Sequence, residues 1–260
     1  MPKSRFSSLR AFAAVLALVP AFALAAGKLQ LQDAPIDLQD RASLQRGAGL
    51  YMNYCAACHS LQFMRYSRLG EDLGLTPEQV EQFIIKGDAK IGDLMKTGLN
   101  KGDAQAWFGK APPDLSTTAR GKIQQEDWIY TFLKSFYVDE TRPMGWNNTV
   151  LKGASMPNVL WDLQGIQRAV FEPKPENGEC AIAEKDGQCI SAFVVQEHER
   201  GRMTQAEYER AILDITAFLT YVGEPARLKR ESLGVWVILF LSVFTLLAWL
   251  MKKEYWKDVH

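Results

Sequence analysis

The feature that most restricts this chain is the hexapeptide Tyr54-Cys55-Ala56-Ala57-Cys58-His59. Two cysteines separated by two residues and followed at once by histidine make C-x-x-C-H, a spacing that gathers both thiols and the imidazole around one turn of backbone. In that arrangement each thiol can add to one vinyl group of the same haem, and the imidazole then lies under the iron as an axial ligand. A chain carrying this motif has to fold around a flat macrocycle. Other uses of the spacing fit less well. A thioredoxin-like dithiol needs a βαβ setting, whereas the flanks here read as helical. A zinc site needs two more ligands, and only Cys180, Cys189, His198 and His260 remain to supply them.

Residues before the motif agree with it. Gly47 and Tyr51 stand eight and four positions before Cys55, so all three lie along one helical face. Glycine there admits a second helix at close range, and Tyr51 offers an aromatic ring to pack beside the haem. A matching late helix is legible. Thr204 and Glu207 form a capping box, Ile212, Ile215, Leu219 and Val222 recur at helical spacing, and Gly223 with Pro225 ends the run. Thr76-Pro77-Glu78-Gln79 starts another helix that stops by Gly87, and Glu126 to Tyr137 reads as a third. Residues 87–110 and 145–165, studded with glycine and asparagine, read as loops. The expected class is mainly α with long loops.

The two ends read as targeting segments. Lys3, Arg5 and Arg10 precede an uncharged run from Ala11 to Ala26 that contains Ala23-Leu24-Ala25, the pattern of a secretory signal covering residues 1–25. At the other end no charge occurs between Glu231 and Lys252, and the twenty residues 232–251 are rich in Leu, Val, Phe and Trp. At 1.5 Å per residue such a helix covers about 30 Å, the thickness of the hydrocarbon layer. Residues 26–225 are then an exported, periplasmic domain, 226–231 a linker and 252–260 a cytoplasmic tail. The expected location is a bacterial inner membrane, crossed once. The whole chain has 30 cations and 30 anions, which gives no electrostatic case for nucleic acid. Residues 27–225 nevertheless hold 21 cations against 27 anions, an excess of acid able to steer a basic partner.

A haem bound by His59 needs either a second protein ligand, giving an electron carrier, or an open position, giving gas binding or peroxidase-type chemistry. Met52 and Met64 stand too near the attachment site to reach the opposite face. His198 lies in the polar stretch Gln196-Glu197-His198-Glu199-Arg200 and reads as a surface residue. Met156, in Gly153-Ala154-Ser155-Met156-Pro157, and Met144, in Arg142-Pro143-Met144-Gly145, both sit beside prolines that fix an extended loop. Residue chemistry alone does not choose between these two.

Three motifs taken in order narrow the reading: Cys55-Ala56-Ala57-Cys58-His59, then Ala111-Pro112-Pro113-Asp114-Leu115-Ser116, then Met156-Pro157-Asn158-Val159-Leu160, ahead of one late membrane helix and the tail Lys252-Lys253-Glu254-Tyr255-Trp256. Together they resemble the cytochrome c1 family, the haem subunits of cytochrome bc1 complexes. The resemblance implies a class I cytochrome c-like haem domain carrying one haem c on Cys55 and Cys58, with His59 and Met156 as axial ligands. It also implies Pro112 packed on the His59 side and Arg120 paired with a haem propionate. Its implied partners are cytochrome b, a Rieske iron–sulfur protein as electron donor, a c-type cytochrome as acceptor and membrane lipid, within a dimeric complex. The chain itself would be a subunit of the quinol–cytochrome c oxidoreductase that binds no substrate. Cys180 and Cys189 depart from the family pattern. In an exported domain these two remaining thiols form a disulfide that staples a surface insertion, with Asp186-Gly187 as its turn. The competing readings are a membrane-anchored monohaem cytochrome of a terminal oxidase or periplasmic dehydrogenase, and a haem enzyme or sensor with an open iron.

Overall fold

The computed structural model describes residues 31–122, 124–175 and 178–257. The expected signal segment 1–25 and the last residues of the expected tail, His260 among them, lie outside the described residues. What is described is mainly helical, with three small antiparallel sheets.

Helix α1, Arg41–Tyr54, begins where the Asp40 side chain accepts the Ser43 N–H at 3.1 Å, which satisfies one of the donors that a helix start leaves open. It buries Leu44, Gly47, Ala48 and Tyr51. Strand β1, Leu61–Arg65, pairs with β2, Leu94–Met95, and between them lie α2, Tyr66–Leu73, and α3, Pro77–Gln79. Thr76 and Gln79 make the reciprocal capping box at the start of α3, and the chain then widens into a π-turn over Val80–Ile84. Helix α4, Lys101–Phe108, occupies part of the stretch expected to be loop; its Asn100 cap accepts the Asp103 N–H at 2.8 Å. Helices α5, Thr118–Gly121, and α6, Gln125–Lys134, follow.

The third expected helix ends earlier than its apolar pattern suggests. Ser135, buried, donates its hydroxyl to the Asn148 side chain at 3.1 Å. Beyond it Phe136–Val138 forms β3, paired with β4, Trp146–Asn148. Phe136 and Tyr137 therefore serve a strand, where aromatic side chains pack well across the pair. The larger departure is a sheet in order β5-β7-β6, from β5, Gly165–Pro173, β6, Ala183–Lys185, and β7, Gln188–Arg200. Between β4 and β5 stands a single helical turn, α7, Trp161–Gln164. A disulfide joins Cys180 and Cys189, and the link between β6 and β7 is a two-residue turn with Asp186 at φ 51° and Gly187 at φ 81°. Two successive positive φ values make the primed turn that matches strand twist.

Helix α8, Gln205–Gly223, is the spine of the core, opened by the Thr204–Glu207 capping box. It crosses α1 with backbone nearly touching backbone. A Cβ placed on Gly47 would stand 2.1 Å from the Asp214 carbonyl oxygen, so any side chain there forces the helices apart. Asp214, itself buried, accepts Arg46 Nε at 2.7 Å, Arg46 Nη2 at 2.8 Å and Ser43 Oγ at 2.6 Å. One turn on, the rings of Tyr51 and Phe218 lie 5.6 Å apart. Helix α6 packs against the other side of α8 through Lys134–Glu209 at 3.0 Å and the Tyr208 hydroxyl on the Leu133 carbonyl at 3.3 Å. After 224–226 the chain enters α9, Arg227–Tyr255, whose Leu233–Tyr255 stretch is long and apolar enough to cross a membrane, with mean hydropathy 2.4.

Two predictions come from this packing. Gly47→Ala should cost about 1–3 kcal/mol through overpacking. Gly49→Ala in the same helix, where a Cβ meets nothing, should be neutral or stabilising by about 1 kcal/mol. Thermal unfolding of the detergent-solubilised holoprotein checks the pair. The second concerns Asp139. Burial alone would push its carboxyl up, but bonds from Lys185, Thr141 and Asn147 outweigh it and hold the group well below the usual carboxylate range. The resulting stability is present in full above the unfolded value of about 3.9 and fades as pH falls toward the folded one. Asp139→Asn should therefore destabilise at pH 7 by roughly 1–3 kcal/mol, and melting curves taken at progressively lower pH should show the gap to the parent closing.

Candidate functional site

The motif is wound onto the end of α1. The Cys55 N–H donates to the Tyr51 carbonyl at 2.8 Å, and the Cys58 and His59 N–H groups donate to the Cys55 carbonyl at 3.0 and 2.8 Å. This closes the loop into one turn. Tyr51 then reaches across it, its hydroxyl donating to the His59 carbonyl at 2.6 Å. Tyr51 is 1% exposed, so the phenol carries the packing of the helix crossing directly into the motif. Thr97 holds the outer side, donating Oγ1 to the Ala57 carbonyl at 2.6 Å while its N–H donates to Ser60 Oγ at 3.0 Å.

Neither Cys55 nor Cys58 is in a disulfide. Burial pushes the Cys55 thiol up to about 12, with Cys58 adding a smaller push, so Cys55 does not behave as a reactive thiolate at neutral pH. His59 is the informative residue. Its Nδ1 lies 2.7 Å from the Pro113 carbonyl oxygen. A carbonyl can only accept, so Nδ1 carries the proton and Nε2 presents a lone pair. Burial lowers the imidazole below its ordinary value, against weaker upward pulls from Pro113 and Asp114, which keeps the ring neutral at pH 7. A neutral imidazole, oriented from behind by a carbonyl, is the form that binds a metal.

The Pro113 carbonyl is itself held in place by its neighbours. Asp114 Oδ2 accepts the Gln62 N–H at 2.9 Å, Asp114 Oδ1 accepts the Ser116 N–H at 2.9 Å, and Ser116 Oγ accepts the Phe63 N–H at 3.1 Å. The Leu115 N–H adds a bond to the Ser60 carbonyl at 2.9 Å. Pro112-Pro113-Asp114-Leu115-Ser116 is thus stitched along residues 60–63, and that seam aims the Pro113 oxygen at His59. Sequence reasoning singled out Pro112, which is half-buried, and missed the carbonyl of Pro113, the carboxylate of Asp114 and the hydroxyls of Ser116 and Thr97. Asp-x-Ser is an Asx-turn spacing, the one local signal that pointed to this seam. Beside the motif, Tyr51, Met52, Ala56, His59, Tyr66 and Met95 line a cleft of about 340 Å³.

The remaining candidate residues lie elsewhere in the chain. Met156 is half-buried in a loop braced on both sides. Before it, Gly153 donates its N–H to Asn147 Oδ1 and accepts Arg142 Nη2 through its carbonyl, both at 2.9 Å. After it, the Asn158 side chain accepts the Leu160 N–H at 3.0 Å and donates to Gln164 at 2.8 Å. Met144 is half-buried between β3 and β4, and His198 is exposed on β7. Arg120, exposed, ends α5 beside α8, where a Cβ on Gly223 would lie 3.5 Å from its Cγ. The fold brings Tyr51, Cys55, Cys58, His59 and Pro112 to one place. Met156 and Arg120 stand on separate segments, and among the described residues neither bonds to the motif. The donor set suits a covalent haem: two unpaired thiols on one turn and a neutral imidazole with Nε2 open.

Comparison with known proteins gives the same reading. Residues 31–259 match the Cytochrome C1 family. A cytochrome c1 of Allochromatium vinosum is 49% identical over 95% of this chain and 98% of its own length. A protein of Nitrosomonas europaea named ammonia monooxygenase gamma subunit is 39% identical over 94% of this chain and 95% of its own. A cytochrome c1 of Cereibacter sphaeroides is 25% identical over 95% and 94%. With its haem-attachment turn and apolar late helix, the chain belongs to the cytochrome c1 family, the haem-bearing electron-transfer subunits of cytochrome bc1 complexes.

Proposed function

We propose that Cys55 and Cys58 hold haem c through thioethers and that His59 Nε2 and Met156 ligate the iron on opposite faces. The observation that carries this reading is the 2.7 Å bond between His59 Nδ1 and the Pro113 oxygen, which fixes the tautomer and leaves Nε2 open. When bound, the haem supplies a one-electron couple that accepts from the Rieske iron–sulfur protein and gives to a c-type cytochrome. The chain's residues supply the rest. Thioether attachment prevents loss of the group during repeated docking, and a thioether ligand raises the potential toward that of a high-potential cluster. Pro112 packs on the His59 side, and Arg120, held in α5 beside α8, offers its guanidinium to a propionate. Both loops are pinned on either side, and Met156 is favoured over Met144 because it stands in Met156-Pro157-Asn158-Val159-Leu160, the segment that resembles the family's ligand motif.

The crossing of α1 and α8 supports a class I cytochrome c-like arrangement for the haem domain, residues 26–225. The sheet of β5, β6 and β7, stapled by Cys180–Cys189, is an insertion on it. We further propose that residues 1–25 are a signal and that 226–231 join the domain to a membrane helix over 232–251. The haem domain then faces the periplasm of a bacterial inner membrane, and 252–260 lie in the cytoplasm. The chain acts as the electron-carrying subunit of a quinol–cytochrome c oxidoreductase alongside cytochrome b and the Rieske protein, in a dimeric complex. Co-purification with a dihaem cytochrome b and an iron–sulfur protein tests the assembly; isolation with an oxidase or dehydrogenase subunit would overturn it.

Met156→Leu should keep the haem covalently attached while lowering its midpoint potential by more than a tenfold change in the reduction equilibrium, about 59 mV for a one-electron couple. A potentiometric titration with an unchanged midpoint would move the ligand role to Met144 or His198. Arg120→Ala should shift the midpoint modestly or lower the melting temperature of the holoprotein, since the propionate loses its charge partner. If both stay put, Arg120 is not at the site.

A further inference from the structure

The residue before Cys55 enters an arrangement that the haem-binding motif alone does not require. Tyr54 donates its hydroxyl to Asp162 Oδ2 at 3.1 Å and accepts Arg202 Nη2 at 2.9 Å, and Arg202 also ion-pairs with the same carboxylate oxygen. The three side chains come from three segments. Tyr54 ends α1, one residue ahead of the first haem-attachment cysteine. Asp162 is in the single turn of α7, six residues past Met156. Arg202 stands two residues before the Thr204 cap of α8.

Backbone contacts make the joint rigid. The Arg202 N–H donates to the Asp162 carbonyl at 2.8 Å and the Met203 N–H to the Leu163 carbonyl at 3.1 Å. A Cβ on Gly201 would lie 2.2 Å from the Leu163 carbonyl oxygen, so the two strands of chain run in contact. Between Met156 and Asp162 there is little slack, because Asn158 is 2% exposed and bonds to Leu160 and Gln164, while Leu160 and Leu163 are buried in the core. Arg202 is largely exposed, so its ion pair contributes little stability by itself. What the triad does supply is a direct tie between the segment that bears the thiols and the segment that bears the methionine.

We propose that Tyr54, Asp162 and Arg202 are positioning residues, a clamp that fixes the gap between the attachment turn and the Met156 loop and so holds the thioether at bonding distance from the iron. The inference rests on the assignment of Met156 as axial ligand. An axial ligand delivered on a loop works only if the loop's anchor is held to within about half an ångström. Without the clamp the α1 end and the α7 turn lose this direct side-chain tie, and the sulfur spends part of its time off the iron.

The test uses the full chain, matured with its haem in the membrane complex. Asp162→Asn and Tyr54→Phe are each nearly isosteric. Each should shift the reduction equilibrium toward the ferric form by about threefold and let the reduced protein bind carbon monoxide in a measurable fraction, which a six-coordinate carrier refuses. Asp162→Glu, which keeps the charge, should recover part of both. Should Asp162→Asn fail to accumulate, Tyr54→Phe, which removes a single hydroxyl, carries the test. Midpoints and carbon monoxide binding equal to the parent in both variants, alongside a Met156→Leu variant that changes both, would overturn the clamp and leave the ligand assignment standing. A silent Met156→Leu would overturn the assignment itself and the clamp with it.

Discussion

The structure depends first on the absence of a side chain. At Gly47 two helices meet with no Cβ between them, and only there could the Asp214 carbonyl approach so closely. The crossing is secured by unlike contacts a turn apart: a carboxylate taken out of water and gripped by Arg46 and Ser43, and the paired rings of Tyr51 and Phe218. Burial of two such aromatic side chains contributes roughly 1.5–3 kcal/mol each. Removing Arg46, itself half-exposed, would leave the buried Asp214 carboxylate without its charge partner, which costs more than the pair itself returns. Because Tyr51 also bonds to the His59 carbonyl, the geometry of the crossing and the geometry of the motif are a single constraint.

From that point order spreads by short polar stitches and not by further helix packing. The motif turn is bordered by Thr97 and Ser60 on one side and by the Asp114 and Ser116 seam on the other. Each stitch satisfies a backbone group that the turn would otherwise leave open. The Met156 loop is built the same way, from Asn147, Arg142 and Asn158. A domain with this much irregular backbone needs many such side chains, which explains why asparagines are buried here: Asn147, Asn148 and Asn158 all are.

How much of this was legible in the sequence varied with the range of the interaction. The two capping boxes, the α1 face of Gly47 and Tyr51, the stripe of α8 and the apolar late helix are local patterns, and each stands in the structure where its spacing put it. The end of α6 was misplaced because Phe136 and Tyr137 continue an apolar pattern; a single buried serine, bonded to a side chain thirteen residues on, stops the helix. The sheet of β5, β6 and β7 left almost no trace, because its strands bury little apolar surface: β5 turns from buried to exposed along its length, and β7 is largely exposed. Within the site, the motif was visible as residue types. The Pro113 oxygen was not, since any residue has a carbonyl and only the fold decides which one faces the imidazole.

The joint between α8 and α9 leaves the chain almost no free length. Only 224–226 separate the two helices, the Glu224 N–H still bonds back to Tyr221, the Arg227 N–H bonds back to Glu224, and Arg230 reaches the Glu224 carboxylate at 2.7 Å. Three residues span at most about 11 Å, and these are not slack. With α9 seated in a bilayer, the head is mounted on a post instead of a leash: it cannot swing out to collect charge.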